Sequence, residues 1–379
     1  ALVRARLESA AARASAELTA DDVVSVPFRS GTDGYHTFRI PALLRTPAGT
    51  LLAFAEGRVA GGADAGEIDV VLRRSADGGR SWGPLLVVRR GEGHTVGNPC
   101  PVVDPTSGDV VLLTCANAGD AEEEAILTGH AAPRTVHVQR SSDDGLGWTA
   151  PTEITDQVRR EGWRWYATGP GHAIALRSGP HRGRLVVPAN HSASPAPGSD
   201  DTGAEQHHYG GHLMCSDDGG RSWHVGLVDP GADGANPNES QVVELDDGTL
   251  YLTSRDQRGD GPGNRLQMWS DDGGETARTP YTRQPDLDDL PVVQAAVVAV
   301  DGLLVLSGPS DPRARRAMAL WVSADGGRRF TRALTLSPDP AGYSDLVALD
   351  AAVGLLCETG PERPSQTLTF RTVPLDRLR

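Results

Sequence analysis

Seven side chains in this sequence are of types that could build an anion site beside an acid–base pair. In "TFRIPALL", Arg39 sits between Phe38 and Ile40 in an otherwise apolar strand. A guanidinium there is costly unless it meets an anion or opens into a cavity. The bland alternative is a strand-edge arginine facing water. "AEGR" closes on Arg58, and the glycine-flanked "GGADAGE" holds Asp64, with Glu67 and Asp69 as near alternatives. Asp69 belongs to the apolar strand itself, whereas a loop aspartate can reach a ligand or simply cap a turn. In "NPNESQVVELDDGTLYLTSRDQRG", a hairpin through "DDG" would bring Glu239 and Arg255 to one rim. A surface ion pair of little worth is the competing reading. "SGPSDPRARRAMALW" offers Arg313, Arg315 and Arg316, and "DPAGYSDLVAL" offers Tyr343, one of 6 tyrosines.

What positions these residues is written in a refrain. "SADGGRSW" from Ser75 recurs as "SSDDGLGW" from Ser141, "SDDGGRSW" from Ser216, "SDDGGETA" from Ser270 and "SADGGRRF" from Ser323. Each copy follows a β-like run, such as "DVVLRR" or "RAMALWV", and most precede another short apolar run. The phrase therefore marks a strand–turn–strand corner. Its Asp can accept turn amides, its Gly permits positive φ, and its Trp caps the core. Copies recur every roughly 50 to 75 residues, which is propeller spacing rather than solenoid spacing. Five corners plus one unit without a corner predict an all-β, six-bladed β-propeller over residues 23–379. "SQTLTFRTVPL" would close the ring beside "VVSVPFRS" and remove the free edges. Residues 1–22 form a separate N-terminal segment, helical or poorly ordered, and a removed signal peptide could have preceded it.

Composition bounds the rest. With 379 residues, 45 glycines and 27 prolines, the chain suits one large, loop-rich β domain. The formal charge of −14 argues against nucleic acid. No run approaches the roughly 18 apolar residues of a membrane span. The 4 cysteines form no CxxC pair, nothing calls for a metal or cofactor, and buried free thiols are the expected state. Cys100 and Cys115 flank a hairpin and could pair.

The words FRIP, "GTLLAFAEGR", S-x-D-x-G-x-x-W, E-S-Q-V-V-E-L, S-R-D and G-Y-S-D-L, in this order, resemble the bacterial exo-alpha-sialidase (neuraminidase) family with its FRIP motif and Asp boxes. "GNPCPVVD", "WYATGPGHAIAL" and "GRLVVPANH" match as well, so the resemblance runs from about Phe28 to Arg371. Two boxes depart from it, with Ala277 and Phe330 where Trp is expected. The resemblance implies a hydrolase of terminal sialic acid on glycans, with the Asp boxes as staples rather than catalysts. It makes Arg39, Arg255 and Arg315 the carboxylate clamp, with Arg316 the runner-up for the third arginine. Arg58 would touch the sugar, Asp64 would be the acid/base, and Tyr343 the nucleophile paired with Glu239.

The chemistry explains the residue types. A carboxylate nucleophile facing the sugar's own carboxylate at about 4 Å would meet roughly 4 kcal/mol of repulsion at an effective dielectric near 20. A neutral tyrosine avoids most of this, but needs a base because its reference pKa is about 10. Tyrosine nucleophiles are the sialidases' known exception to the two-carboxylate rule, and the outcome would be retention. Asp64 would need a raised pKa to act as an acid near neutrality.

The alternatives are a same-fold hydrolase of deaminated sialic acid or Kdo, a trans-sialidase, and a glycan-binding propeller without turnover. Gly97 stands where some family members place a larger apolar residue near the N-acetyl group, which leaves acyl selectivity open. The expected partner is a sialylated glycan, the expected state a monomer, and the expected setting extracellular, with a cytoplasmic one still open.

Overall fold

A computed structural model describes residues 22–231, 234–257 and 263–379. The expected N-terminal segment lies outside these residues, apart from Asp22. Among the described residues, short apolar stretches broken by glycine-rich turns give 25 strands, paired almost entirely antiparallel. Among the described residues only 5-residue and shorter helices interrupt them. No helix among the described residues is long and apolar enough to cross a membrane.

The arrangement is propeller-like. The inner strands touch in a closed circuit: Thr37–Arg45 meets His94–Val103, and this meets Trp163–Thr168. Trp163–Thr168 pairs with Leu185–Ala193, which meets Pro237–Glu244, then Ala296–Val300, then Ala341–Ala348, which returns to Thr37–Arg45. Closure comes from the two ends of the described chain. Val24–Arg29 pairs with Thr367–Pro374, with Val24 opposite Arg371 and Phe28 opposite Leu368. That is the pairing expected of "VVSVPFRS" and "SQTLTFRTVPL", and it leaves no open array edge.

The blade count differs from the expectation of six. Four sheets are separate four- or five-stranded blades, and a fifth sheet has 8 strands, Thr37–Arg45 through Thr152–Glu153. Its two halves are joined where Ile68 bridges Thr95 in a parallel pairing. That single parallel bridge has no local sequence signature.

The five repeated phrases form one kind of turn, each beginning at the last residue of a strand. The serine hydroxyl donates to the aspartate two residues on, at 2.8 Å for Ser75 and 2.9 Å for Ser323. It also accepts the amide of a glycine four residues on, such as Gly79 or Gly327. The aspartate then accepts an amide four residues further, from Ser81, Gly147, Ser222, Thr276 or Arg329, at 2.8–2.9 Å. These hydrogen bonds pull the exposed Asp77 carboxyl down to about 2. All four cysteines are free and buried.

Candidate active site

At one end of the ring the inner strands lose their regular pairing. Register shifts fall between Arg39 and Ala42, Gly97 and Cys100, Pro237 and Ser240, and Ala341 and Ser344. Such bulges break the two-residue alternation and re-aim side chains. Ile40 takes φ 57° and Asn98 φ 53° at two of them. A β-branched residue rarely adopts that conformation, and Ile40 is held in it by its amide, which donates to Glu358 Oε1 at 3.0 Å. The four bulges thus open a cavity of about 180 Å³, lined by all seven residues singled out in the sequence.

Tyr343 is the meeting point. Its hydroxyl donates to Glu239 Oε1 at 2.5 Å. Arg255 Nη1 donates to Glu239 Oε2 at 2.8 Å and to the Tyr343 oxygen at 3.2 Å. The Arg39 and Arg315 guanidiniums lie over the Tyr343 ring, 5.0 and 5.7 Å from its centre. Three guanidinium groups from three sheets therefore surround one phenol. Burial and then the Glu239 charge push the Tyr343 pKa above its ordinary value, with Arg255, Arg39 and Arg315 opposing. The phenol's own proton is already engaged in a hydrogen bond to Glu239.

Arg315 also donates to the Val292 carbonyl at 3.0 Å. Arg316, one residue on, turns away to the Pro338 carbonyl, and Arg313 is exposed. Alternation along Ala314–Ser323 separates the two neighbours. Ser323, which opens the last repeated turn, is at that strand's other end, about 26 Å away at 3.3 Å per residue. The turns thus lie far from the cavity.

Asp64 sits on the exposed 59–67 loop at the rim. Its Oδ1 is 2.7 Å from Arg58 Nη1 and 3.2 Å from Arg39 Nη1. Desolvation pulls its pKa up, but Arg58 and Arg39 outweigh that and the net shift is downward. The raised value that an acid near neutrality requires is therefore not a property of the free site. Arg58 also donates to the Gly62 and Ala63 carbonyls at 2.7 and 2.9 Å, so it anchors the loop that carries Asp64. Of the alternatives, Asp69 is buried and accepts the Tyr35 hydroxyl and the Gly91 amide. Glu67 is exposed and does not line the cavity.

Sequence reasoning passed over four contributors. Glu358, in "LLCETG", accepts Arg39 Nε at 3.1 Å, the Ile40 amide, and the Tyr343 amide at 3.1 Å. A lone carboxylate in an apolar strand was the available signal. Glu56 pairs with Arg58 at 2.7 Å in the core and accepts the Asn98 amide at 3.0 Å. A methyl group on Gly97 would lie 2.1 Å from Glu56 Oε1, so this glycine makes room for that carboxylate. Glu123 lines the cavity and accepts the Tyr209 hydroxyl, and burial raises its pKa. Arg134 donates to Asn98 Oδ1 at 2.9 Å and stacks over Trp165.

Residues 49–355 match the family model of the BNR repeat-like domain. The chain is 32% identical over 350 residues to a sialidase of Micromonospora viridifaciens, covering 87% of this chain and 51% of that protein. It is 29% identical over 410 residues to human sialidase-3, covering 94% of this chain and 93% of that protein. A sialidase of Bacteroides fragilis is 29% identical over 91% of this chain and 63% of its own length. The chain thus spans about half to two-thirds of the two bacterial relatives. Among solved structures, the Hadza microbial sialidase Hz136 superposes with a TM-score of 0.77 at 26% identity, covering 94% of this chain and 69% of that one. The intramolecular trans-sialidase of Ruminococcus gnavus shares the fold, with a TM-score of 0.74 at 20% identity over 93% of this chain and 98% of that one. The chain belongs to the BNR repeat-like domain family, and the relatives it matches are named sialidases.

Proposed function

We propose that this chain is an exo-alpha-sialidase that removes terminal sialic acid from glycans with retention, using Tyr343 as nucleophile. The observation that carries this is the Tyr343 hydroxyl, 2.5 Å from Glu239 and enclosed by Arg39, Arg255 and Arg315. The sialidase names of the relatives support the substrate class. In this reading the guanidiniums take the sugar carboxylate and set the anomeric carbon over the phenol. Glu239 removes the phenolic proton as the oxygen attacks, and Asp64 protonates the leaving oxygen and then activates water. The substrate carboxylate competes with Asp64 for Arg39, which frees Asp64 to bind a proton at that moment.

We also read the eight-stranded sheet as two blades joined at Ile68 and Thr95, giving six in the ring. The enzyme would act outside the cell as a monomer on sialylated glycoconjugates. A second reading, hydrolysis of deaminated sialic acid or Kdo, draws on Glu56. Its carboxylate fills the space beside Gly97 and lines the cavity, at the position where some family members place a larger apolar residue.

A fluorogenic sialoside tests the activity, and NMR of the sugar first released tests retention. Tyr343→Phe should nearly abolish turnover while product affinity persists. Wild-type-like turnover in that variant removes Tyr343 from the mechanism. Faster cleavage of a deaminated substrate than of its N-acetylated counterpart would favour the second reading.

A further inference from the structure

The 194–208 loop, between Leu185–Ala193 and Tyr209–Ser216, carries a second cluster of ligand-type side chains. His207 Nε2 lies 3.1 Å from Asp201 Oδ2, and His208 Nε2 lies 3.3 Å from the same oxygen. Gln206–His208 is a 3₁₀ turn, and successive residues of such a turn point about 120° apart. Even so, both imidazoles fold onto one carboxylate, with ring centres 4.4 Å apart. The His208 side chain is only 11% exposed. Its Nε2 is withdrawn from water without a well-formed hydrogen bond. An imidazole nitrogen in that state is either a cost to the fold or a ligand.

The spacing favours a ligand. Around a tetrahedral zinc with bonds of about 2.0–2.1 Å, neighbouring ligand atoms stand about 3.3–3.4 Å apart. The two distances to Asp201 are of that size, and all three ligand atoms lie within 4.8 Å of one another. Glu205 braces the cluster, with its Oε2 3.7 Å from His208 Nε2. Its oxygens accept the Thr202 amide and hydroxyl and the Gly203 amide, at 2.8–3.1 Å, which fixes the turn between Asp201 and His207.

We propose that Asp201, His207 and His208 bind a zinc-type divalent transition-metal ion. Two neutral imidazoles and one carboxylate suit a borderline cation, whereas calcium and magnesium want a set richer in oxygen. Water would complete the coordination. Tyr209 follows His208 directly and donates to Glu123 at the cavity's edge. The metal would therefore clip a loop that runs directly into Tyr209, the partner of a cavity-lining residue, yet its binding does not depend on which sugar that cavity takes.

The test is calorimetric titration of the full, untagged and metal-stripped chain with zinc chloride near neutral pH. One zinc per chain with micromolar affinity is expected, and binding weaker by about tenfold or more in Asp201→Asn and in His207→Ala. His207 is largely exposed, so its variant keeps the fold, which circular dichroism checks. His94→Ala, at an exposed histidine outside the cluster, should bind as the wild type does. Cobalt chloride should give the intense visible bands of a four-coordinate site in the wild type and in His94→Ala, and not in the cluster variants. The proposal is overturned if the wild type takes up no zinc, or if the Asp201→Asn/His207→Ala double variant takes it up equally well.

Discussion

One guanidinium nitrogen of Arg255 donates both to Glu239, at 2.8 Å, and to the Tyr343 hydroxyl, at 3.2 Å. Arg255 thereby fixes the separation of the groups proposed as base and nucleophile. It also shares its charge between the carboxylate before proton transfer and the phenolic oxygen after it. The three guanidiniums act to lower the phenol's pKa, but burial and the Glu239 charge outweigh them, so the proton must leave during attack. Glu239→Gln keeps hydrogen-bonding capacity at this position and cannot take the proton. Turnover of a fluorogenic sialoside should fall by about 10²–10⁴-fold with an unchanged unfolding midpoint. A loss smaller than about tenfold would take Glu239 out of the proton path.

Asp64 gives a pH prediction with a definite sign. In the free site Arg58 and Arg39 overcome desolvation and hold its pKa below the ordinary value. A bound sugar carboxylate draws off Arg39 and adds a negative charge nearby, so the pKa rises on binding. Between the two values binding takes up a proton, and above both it takes up none. Calorimetry of product binding at about pH 5, in buffers of different ionisation enthalpy, should show this uptake. It should vanish in Asp64→Asn. Equal uptake in that variant would mean that another group receives the proton.

Glu358 is a positioning residue, because it holds Arg39 and the backbones of Ile40 and Tyr343 without reaching the Tyr343 hydroxyl. Glu358→Ala strands a mostly buried guanidinium and two amides, and should cost about 3–5 kcal/mol in urea denaturation. Glu358→Gln retains an acceptor and should cost about 1–2 kcal/mol. In the glutamine variant Arg39 loses its orientation more than Tyr343 loses its reactivity. The expected signature is a KM raised more than kcat is lowered, and the reverse split would argue against the assignment.

These contrasts show what the sequence could and could not convey. Arg39, Glu239, Arg255 and Tyr343 each sit in a short local word, and the strand–turn–strand refrain told where those words lie along a sheet. Arg315 and Arg316 differ only in strand face, which alternation resolves once the strand is set. Glu358 was hidden because its partner is 319 residues away, and only ring closure brings the two together. The double-length sheet depends on the pairing of Ile68 with Thr95, which no periodicity announces. Asp201 and the two histidines needed the fold of a loop, and loops carry no repeating pattern to read.

The refrain makes its own prediction through Gly79. This residue has φ 87°, and a Cβ on it would lie 2.0 Å from Phe370. Phe370 belongs to Thr367–Pro374, the strand that closes the ring against Val24–Arg29. Ser25 ties the same junction, donating to the Gly79 carbonyl at 2.5 Å and accepting from Trp82 Nε1 at 2.8 Å. The first repeated turn is thus clamped to the closing sheet. Gly49 has the same φ of 87° with nothing within 4 Å, so it isolates the conformational cost. Gly49→Ala should lose about 1 kcal/mol for the left-handed backbone alone. Gly79→Ala should lose about 2–4 kcal/mol, because overpacking against Phe370 is added. Part of that loss should return in a Gly79→Ala/Phe370→Leu double variant, a coupling that a double-mutant cycle reads directly. Catalytic constants of the folded fraction should hold, since the turn and the cavity are at opposite ends of the strands. Equal losses at Gly79 and Gly49 would show that the turn does not brace the closure.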